Sequence, residues 1–544
     1  MSRAKHRPAR SRSNWFAMKA FLFAVLVLVT LTALMGGHRH EIKEHHVTTP
    51  FTVLASSELK DVEKGLKSDI REATGLDLQF TYTGTLDAMD RVAKGEKFDG
   101  LWVSQGKYLA MNDEMKGHIL AEEKTMLSPV VLGLKASKAH ALGWDAEEPT
   151  WKDIADAAKA GKFTFGMSNP ASSNSGLTAT IGLAAALGKN PDVLTEADLK
   201  NPGIADFFKA QSLTSGSSID LAEAYQHDQS RVDGIINYES VLLSLNSGGQ
   251  LNEPLTIVYP REGIITADYP LMLLNEARRA DYGKMVSYVR GRDFQTRMSA
   301  VTLRRPVNPD ATMAASIPKR TLIELGFPGQ PSLIAALLDT FTADVRVPGS
   351  SRYLLDLSDS MTGDRIASLK QAMLMLASAT PHGTDRFSRF QNREEVGIIP
   401  FSTSPAHTLV VQMGSTPDEN ARARAAAAHL IEPLKPAGRT AIYSSVQEAL
   451  TELSRERNHG EEKRYYTVVL MTDGENNSGL SHNEFNDWYK AQAETVRGIP
   501  VFPILFGEGN EQELEELADM TGGRLFDSRS TPLPVVFKEI RGYQ

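Results

Sequence analysis

The sequence predicts an α/β protein of two domains behind an N-terminal apolar segment. Three observations carry this. Strand-like runs rich in Val, Ile, Phe and Tyr alternate with helix-period segments from Pro50 onward. The chain has 544 residues, too many for one hydrophobic core. A Pro, Gly and Ser passage, VRVPGSSR at 345–352, divides the alternating region in two.

The apolar segment comes first. Ala20–Met35 reads AFLFAVLVLVTLTALM without a charge, and extending it back to Trp15 admits only Lys19. About 20 residues at about 1.5 Å rise match about 30 Å of hydrocarbon. Residues 15–36 are therefore expected to be a transmembrane signal anchor, with 1–14 a basic cytoplasmic tail and 37–49 a linker. The tail carries Arg3, Lys5, Arg7, Arg10 and Arg12 with no acid, which keeps it inside and sends the bulk of the chain outside. The expected location is the cell membrane, single-pass and bacterial. A cleaved signal peptide is the rival; no good Ala-x-Ala site precedes Gly36-Gly37, which favours the anchor. His38, His40, His45 and His46 read as a solvated linker, because residue 44 is Glu and no HExxH pattern opens.

Charge narrows the function classes. The net charge is −8, and the tail holds +5 of the positive charge, so the body is strongly acidic. Such a body lacks the basic stripe that nucleic acid needs and suits attraction of cations. The chain has no cysteine, which excludes disulfides, thiolate metal sites and a cysteine nucleophile.

The region 50–345 alternates strands and helices. FTVLASSELKDVEKGL (51–66) reads as strand, Ser-Ser turn and helix; LDLQFTYTG (76–84), FDGLWVS (98–104) and SPVVLGLKA (128–136) read as further strands. FTFGMSNPASSNSGLTATIGLAAALG (163–188) is strand, polar loop and apolar helix. VDGIINYESVLLSL (232–245), LTIVYP (255–260) and ADYPLMLL (267–274) complete the strands. Ser56-Ser57 and the run Ser168–Gly176 fall where a strand ends and a helix begins. Unpaired N–H groups at such ends hold anions, although Ser and Asn there also serve as plain caps.

These segments resemble the bacterial extracellular solute-binding proteins, carried by VLASSELKD (53–61), FDGLWVS, SPVVLGL (128–134), FGMSNPASSNSG (165–176) and VDGIINYES (232–240). The resemblance implies a two-lobed, type II periplasmic-binding-protein-like domain. Its hinges would lie near 130 and 258, with the first lobe built from 50–130 and 259–345. A small molecule or anion would sit between the lobes at Ser56, Ser57, Ser168, Asn169, Ser175 and Tyr238.

The region 350–544 carries a sharper pattern. Tyr353–Met361 is a buried strand running into a polar turn, with Asp356, Ser358 and Ser360 alternating above its end. YYTVVLMTDGENN (465–477) is a second apolar strand, ending in Thr472-Asp473-Gly474, and Gly438-Arg439-Thr440 opens a long helix. Strand ends of this kind are where open α/β sheets bind ligands. Asp356, Ser358, Ser360, Thr440 and Asp473 form an all-oxygen set, which favours Mg²⁺, or Mn²⁺ or Ca²⁺, over zinc. With two acids only, positions remain for water or a partner's carboxylate.

This constellation resembles the von Willebrand factor A domain and its metal-ion-dependent adhesion site, DxSxS…T…D. The resemblance implies a doubly wound, Rossmann-like fold with hydroxyl ligands Ser358, Ser360 and Thr440, and with Asp356 and Asp473 binding directly or through water. GIIPFST (397–403), GIPVFPILFGEG (498–509) and LEELADMTGGRLFDS (514–528) look like the family's later strands and final helix. Asp359 and Arg439 stand where glycine is common.

No GxSxG, HExxH or phosphate-cradling loop is present, so an enzyme is not expected. The expected role is a cell-surface binding protein that engages a protein partner through a carboxylate at the metal. Its middle domain takes an unidentified ligand, and no nucleic acid is bound. The alternatives are the substrate-binding receptor of a transport system and an assembly or chaperone factor of an envelope complex.

Overall fold

The structure, a computed structural model, describes residues 48–189, 193–378, 386–460, 462–507 and 509–544. The expected 15–36 anchor, the basic tail and the linker histidines lie outside the described residues. Among the described residues, no helix is long and apolar enough to cross a membrane.

Among the described residues the first domain has twelve strands: β1 (Thr49–Ser56), β2 (Leu76–Thr83), β3 (Gly100–Trp102), β4 (Ala121–Lys124), β5 (Met126–Lys135), β6 (Phe165–Ser168), β7 (Gln211–Ser215), β8 (Gly234–Tyr238), β9 (Leu255–Val258), β10 (Thr266–Ala267), β11 (Pro270–Leu273) and β12 (Arg305–Pro306). They form two sheets. The first runs β2-β1-β3-β11-β4; the second runs β10-β5-β8-β6-β7, with β9 and β12 also on β5. Covering helices used below are α1 (Lys60–Thr74), α2 (Thr85–Ala93), α3 (Asn174–Leu187), α4 (Pro202–Phe208), α5 (Ser218–His227), α6 (Glu239–Ser247) and α7 (Pro331–Thr340). In α1, Val62, Leu66 and Ile70 recur every four residues and are buried. The helix stops at Gly75, whose left-handed φ of 73° lets its N–H return to the Arg71 carbonyl.

The chain passes from the first sheet to the second between β4 and β5, close to the expected hinge. It returns between β10 and β11, at Asp268-Tyr269, ten residues beyond the expected second crossing. Tyr269 takes φ 39°, and its carbonyl accepts from Thr125 Oγ1 at 2.6 Å and Trp102 Nε1 at 3.2 Å. That clamp splits the expected strand 267–274 in two.

A second difference falls at 232–245. The strand ends at Tyr238, and the apolar run that follows is helix α6. Apolarity on every side suits a buried helix as well as a strand. Glu239 fixes the break: its buried carboxylate takes both Arg305 N–H groups at 2.8 Å and the Tyr259 hydroxyl. A third difference concerns the end of the domain. Helix α7 and the turn after it pack on the second lobe, not the first, with Phe341 set edge-on to Phe208 at 5.1 Å between ring centroids.

The C-terminal domain is one sheet, β13 (Gly349–Asp356), β14 (Glu395–Phe401), β15 (Leu409–Gln412), β16 (Tyr465–Thr472), β17 (Val501–Leu505) and β18 (Phe526–Asp527), ordered β15-β14-β13-β16-β17-β18. All neighbours are parallel except β14 and β15. Every residue of β13 is buried, because helices cover both faces. Tyr353 and Leu355 face one layer, with α8 (Asp364–Leu376); Leu354 faces the other, with α9 (Ile442–His459).

Helix α10 (Glu511–Thr521) lies within the expected final segment, yet it is not last: α11 (Leu533–Arg541) follows. Pro532 and Pro534 hide it in the sequence, although proline is well tolerated at a helix start. Val536, Phe537 and Ile540 of α11 complete the α8 layer.

Candidate functional site

Parallel pairing of β13 with β16 aligns Leu355 with Met471, so Asp356 and Thr472-Asp473 emerge side by side. Asp356 is fully buried, accepting from the Ser358 N–H at 2.8 Å and Thr472 Oγ1 at 2.6 Å. Ser358 Oγ and Ser360 Oγ lie 3.0 Å apart, and Ser360 Oγ donates to Asp473 at 2.8 Å. Three of the five sequence-derived residues, Ser358, Ser360 and Asp473, are thus joined by short oxygen contacts, and Asp356 joins them through the Ser358 N–H.

Thr440 reaches them on the loop before α9. Asp359 and Gly438 pair in both directions, N–H of 359 to the 438 carbonyl at 3.0 Å and N–H of 438 to the Asp359 carboxylate at 3.1 Å. Asp359 is therefore a clamp for the Thr440 loop as well as a local charge. Asn477 accepts from the Thr440 N–H at 2.8 Å and closes the other side. A Cβ at Gly474 would stand 3.6 Å from both Ser360 Oγ and Thr440 Oγ1, so the two hydroxyls flank one small space.

Burial pushes the Asp356 carboxyl above the usual range, its hydrogen bonds pull it back, and the Asp473 charge adds to the rise. The excess negative charge is met from one side by Arg365, on the first turn of α8, whose guanidinium pairs with Asp473. Sequence reasoning missed Arg365; its only signal is a cation five residues after Ser360. Among the described residues no cluster of three His, Asp or Glu side chains could hold a metal. This set is of another kind, two carboxylates and three hydroxyls. Hard oxygen donors around a charge deficit, with a cation already drawn to one acid, fit a divalent ion such as Mg²⁺.

The cleft of the first domain holds a half-open cavity of about 270 Å³. Ser56, Ser57 and Asn169 line it, together with Thr85, Ser173 and Asn174, which stand at the starts of α2 and α3. Ser168, Ser175 and Tyr238 do not line it; they stand behind the wall. The Ser168 and Ser175 hydroxyls meet at 2.8 Å, fully buried, and the Tyr238 hydroxyl accepts from Asn174 Nδ2 at 3.0 Å. Glu58 sits at the cavity floor, where burial raises its carboxyl and contacts with Ser104, Arg304 and Tyr238 only partly offset this.

The cavity has a wall the sequence did not suggest. Arg524, Lys538, Glu539 and Gly542 of the C-terminal domain line it. Lys538 pairs with Asp87 at 2.9 Å, and Arg524 stands 3.7 Å from Asp220. Gly216 and Gly542 allow backbone to meet backbone: a Cβ on Gly542 would lie 2.2 Å from the Gly216 Cα.

Residues 51–300 match the family model described as bacterial extracellular solute-binding protein, and residues 353–538 match von Willebrand factor type A domain, in that order. The protein is thus a mixed α/β chain with a periplasmic-binding-protein-like domain and a von Willebrand factor A domain. Both families are binding domains rather than enzymes. The human calcium-activated chloride channel regulator 1 is 32% identical over 180 residues, 31% of this chain and 16% of that protein. The chain thus spans about a sixth of the length of the curated relative it matches. Similar solved structures include the periplasmic binding protein AfuA from Actinobacillus pleuropneumoniae, with exogenous fructose-6-phosphate bound (14% identity, 55% of this chain, 99% of that chain, TM-score 0.44). The apo ferric ion-binding protein A of Pasteurella haemolytica is similar at 13% identity, 54% of this chain and 96% of that one, with TM-score 0.42.

Proposed function

We propose that this chain is a surface-displayed binding protein that engages a protein partner's carboxylate through a divalent metal held by Asp356, Ser358, Ser360, Thr440 and Asp473. The observation that carries the reading is the convergence of these five oxygen side chains at the carboxyl ends of β13 and β16, beside the Arg365–Asp473 pair. A bound Mg²⁺ would supply a point of positive charge for an incoming acid. The chain's own residues do the rest: the hydroxyls orient toward one space, Asp359 and Asn477 hold Thr440, and the Ser358 N–H and Thr472 Oγ1 hold the Asp356 carboxylate in place. Segment 15–36 is proposed as the anchor, with 50–345 and 350–544 as the two extracytoplasmic domains. The experiment is capture from solubilised cell envelope in Mg²⁺ against EDTA, with Asp473→Ala as control. Partners recovered in Mg²⁺ alone and lost in the variant support the reading; equal recovery in EDTA sinks it.

The cleft cavity favours a second, compatible activity: binding of a small solute in the first domain. Among the described residues its lining carries cations and acids in equal number, Lys60, Arg524, Lys538 and Arg541 against Glu58, Asp87, Asp220 and Glu539. Balanced charge and many hydroxyls suit a small, uncharged, hydroxyl-bearing solute better than a multiply charged anion. A thermal-shift panel of sugars and polyols beside phosphates and sulfate tests this; stabilisation by anions alone contradicts it.

A further inference from the structure

The solute cleft is not closed by its own two lobes alone. Helix α11 and Arg524 of the C-terminal domain lie across it, tied to the first lobe by Lys538–Asp87 and to the second by Arg524 near Asp220. Backbone contacts continue the seam: Asn169 Nδ2 donates to the Arg541 carbonyl and Thr214 Oγ1 to the Gly542 carbonyl, both at 3.4 Å. Both lobes therefore touch the same short helix.

We propose that the solute site is a composite of both domains, with α11 as its third wall, so that solute exchange requires the C-terminal domain to undock from the cleft. This rests on the reading of the cavity as a solute site, and it adds two ligand-facing side chains, Arg524 and Lys538, from the other domain. The charge pairs are the latch, and the Gly216–Gly542 contact sets how closely the wall seats. Solute binding and the posture of the C-terminal domain become one equilibrium: a solute that touches Arg524 or Lys538 stabilises the docked form, and undocking releases it.

The test needs no identified solute. The chain has no cysteine, so Thr85→Cys in the full-length protein gives a single thiol on the cavity wall, where Thr85 is 4% exposed. The probe is iodoacetamide. Gly216→Val and Gly542→Val crowd the seam from opposite sides: a Cβ at 542 would stand 2.2 Å from the Gly216 Cα and one at 216 would stand 3.1 Å from the Glu539 carbonyl, and neither position has positive φ. Each is expected to raise the alkylation rate at residue 85 at least tenfold without changing secondary structure. Gly283→Val, a glycine with open space around it, should leave the rate unchanged. Slow alkylation in both seam variants, with intact circular dichroism, overturns the composite wall. If a seam variant misfolds, the charge reversal Asp220→Lys supplies the same readout, and no acceleration there counts against the proposal equally. A failed solute panel alongside fast alkylation in the seam variants would sink the solute reading and leave the wall standing.

Discussion

Arg365 closes its guanidinium on Asp473, the last of the five oxygen-bearing residues, and also donates to the Ser360 carbonyl at 3.3 Å. A cation of the chain thus rests on the acid that the proposed metal needs. Its side chain is 41% exposed while the Asp473 carboxylate is buried, so solvent screens the pair only in part. Arg365→Ala is expected to tighten Mg²⁺ or Mn²⁺ binding by at least about two- to fivefold, the range set by exposed ion pairs. Calorimetric titration checks this; weaker binding in the variant would mean that Arg365 supports the site rather than competing for it.

Gly438 holds φ 96°, and a Cβ there would stand 2.8 Å from Thr403 Oγ1. A side chain at this position is strained twice, by conformation and by contact. Gly438→Ala should shift the loop that presents Thr440, lowering metal affinity about tenfold and stability by about 1–3 kcal/mol. Unchanged affinity would remove Thr440 from the ligand set.

Glu394 joins the interdomain connector to the last helix. Its carboxylate takes Arg346 and Arg541 at 2.5 Å each, and all three are buried. Burial would raise this carboxyl, but the charges of Arg541 and Arg346 outweigh it and hold it below the usual range. Its contribution is therefore present at neutral pH and lost as pH falls through the lowered value. Glu394→Ala leaves two buried guanidinium groups unpaired and should cost about 3–5 kcal/mol in urea unfolding. A loss near zero would show that the arginines find other partners.

Glu58 behaves oppositely. Its raised carboxyl binds a proton in the folded protein where the unfolded chain has lost it, so stability falls as pH rises from the ordinary glutamate range through the raised value. Glu58→Gln should flatten that slope in melting temperature against pH. A slope identical to that of the native chain would place the effect on another group.

The α/β class and the strand ends that hold the candidate site were legible in the chain, because both depend on local pattern. Asp356, Ser358 and Ser360 lie within five residues, and the apolar run before Asp473 announces a buried strand. Ser56, Ser57 and Asn169 were legible as loop positions for the same reason. Ser168, Ser175 and Tyr238 share that loop chemistry, yet their hydroxyls turn inward to Ser175, Ser168 and Asn174. A one-residue difference in facing decides this, and sequence does not report it. The wall from α11 was not legible at all. Lys538 and Asp87 are 451 positions apart, and only the folded chain brings them together.

The most direct measurement is metal titration of the full-length chain followed by thermal unfolding, in native protein and in Asp356→Ala. The account predicts that Mg²⁺ or Mn²⁺ raises the melting temperature of the native chain saturably and leaves Asp356→Ala unmoved. An equal rise in both, or none in the native chain, contradicts it.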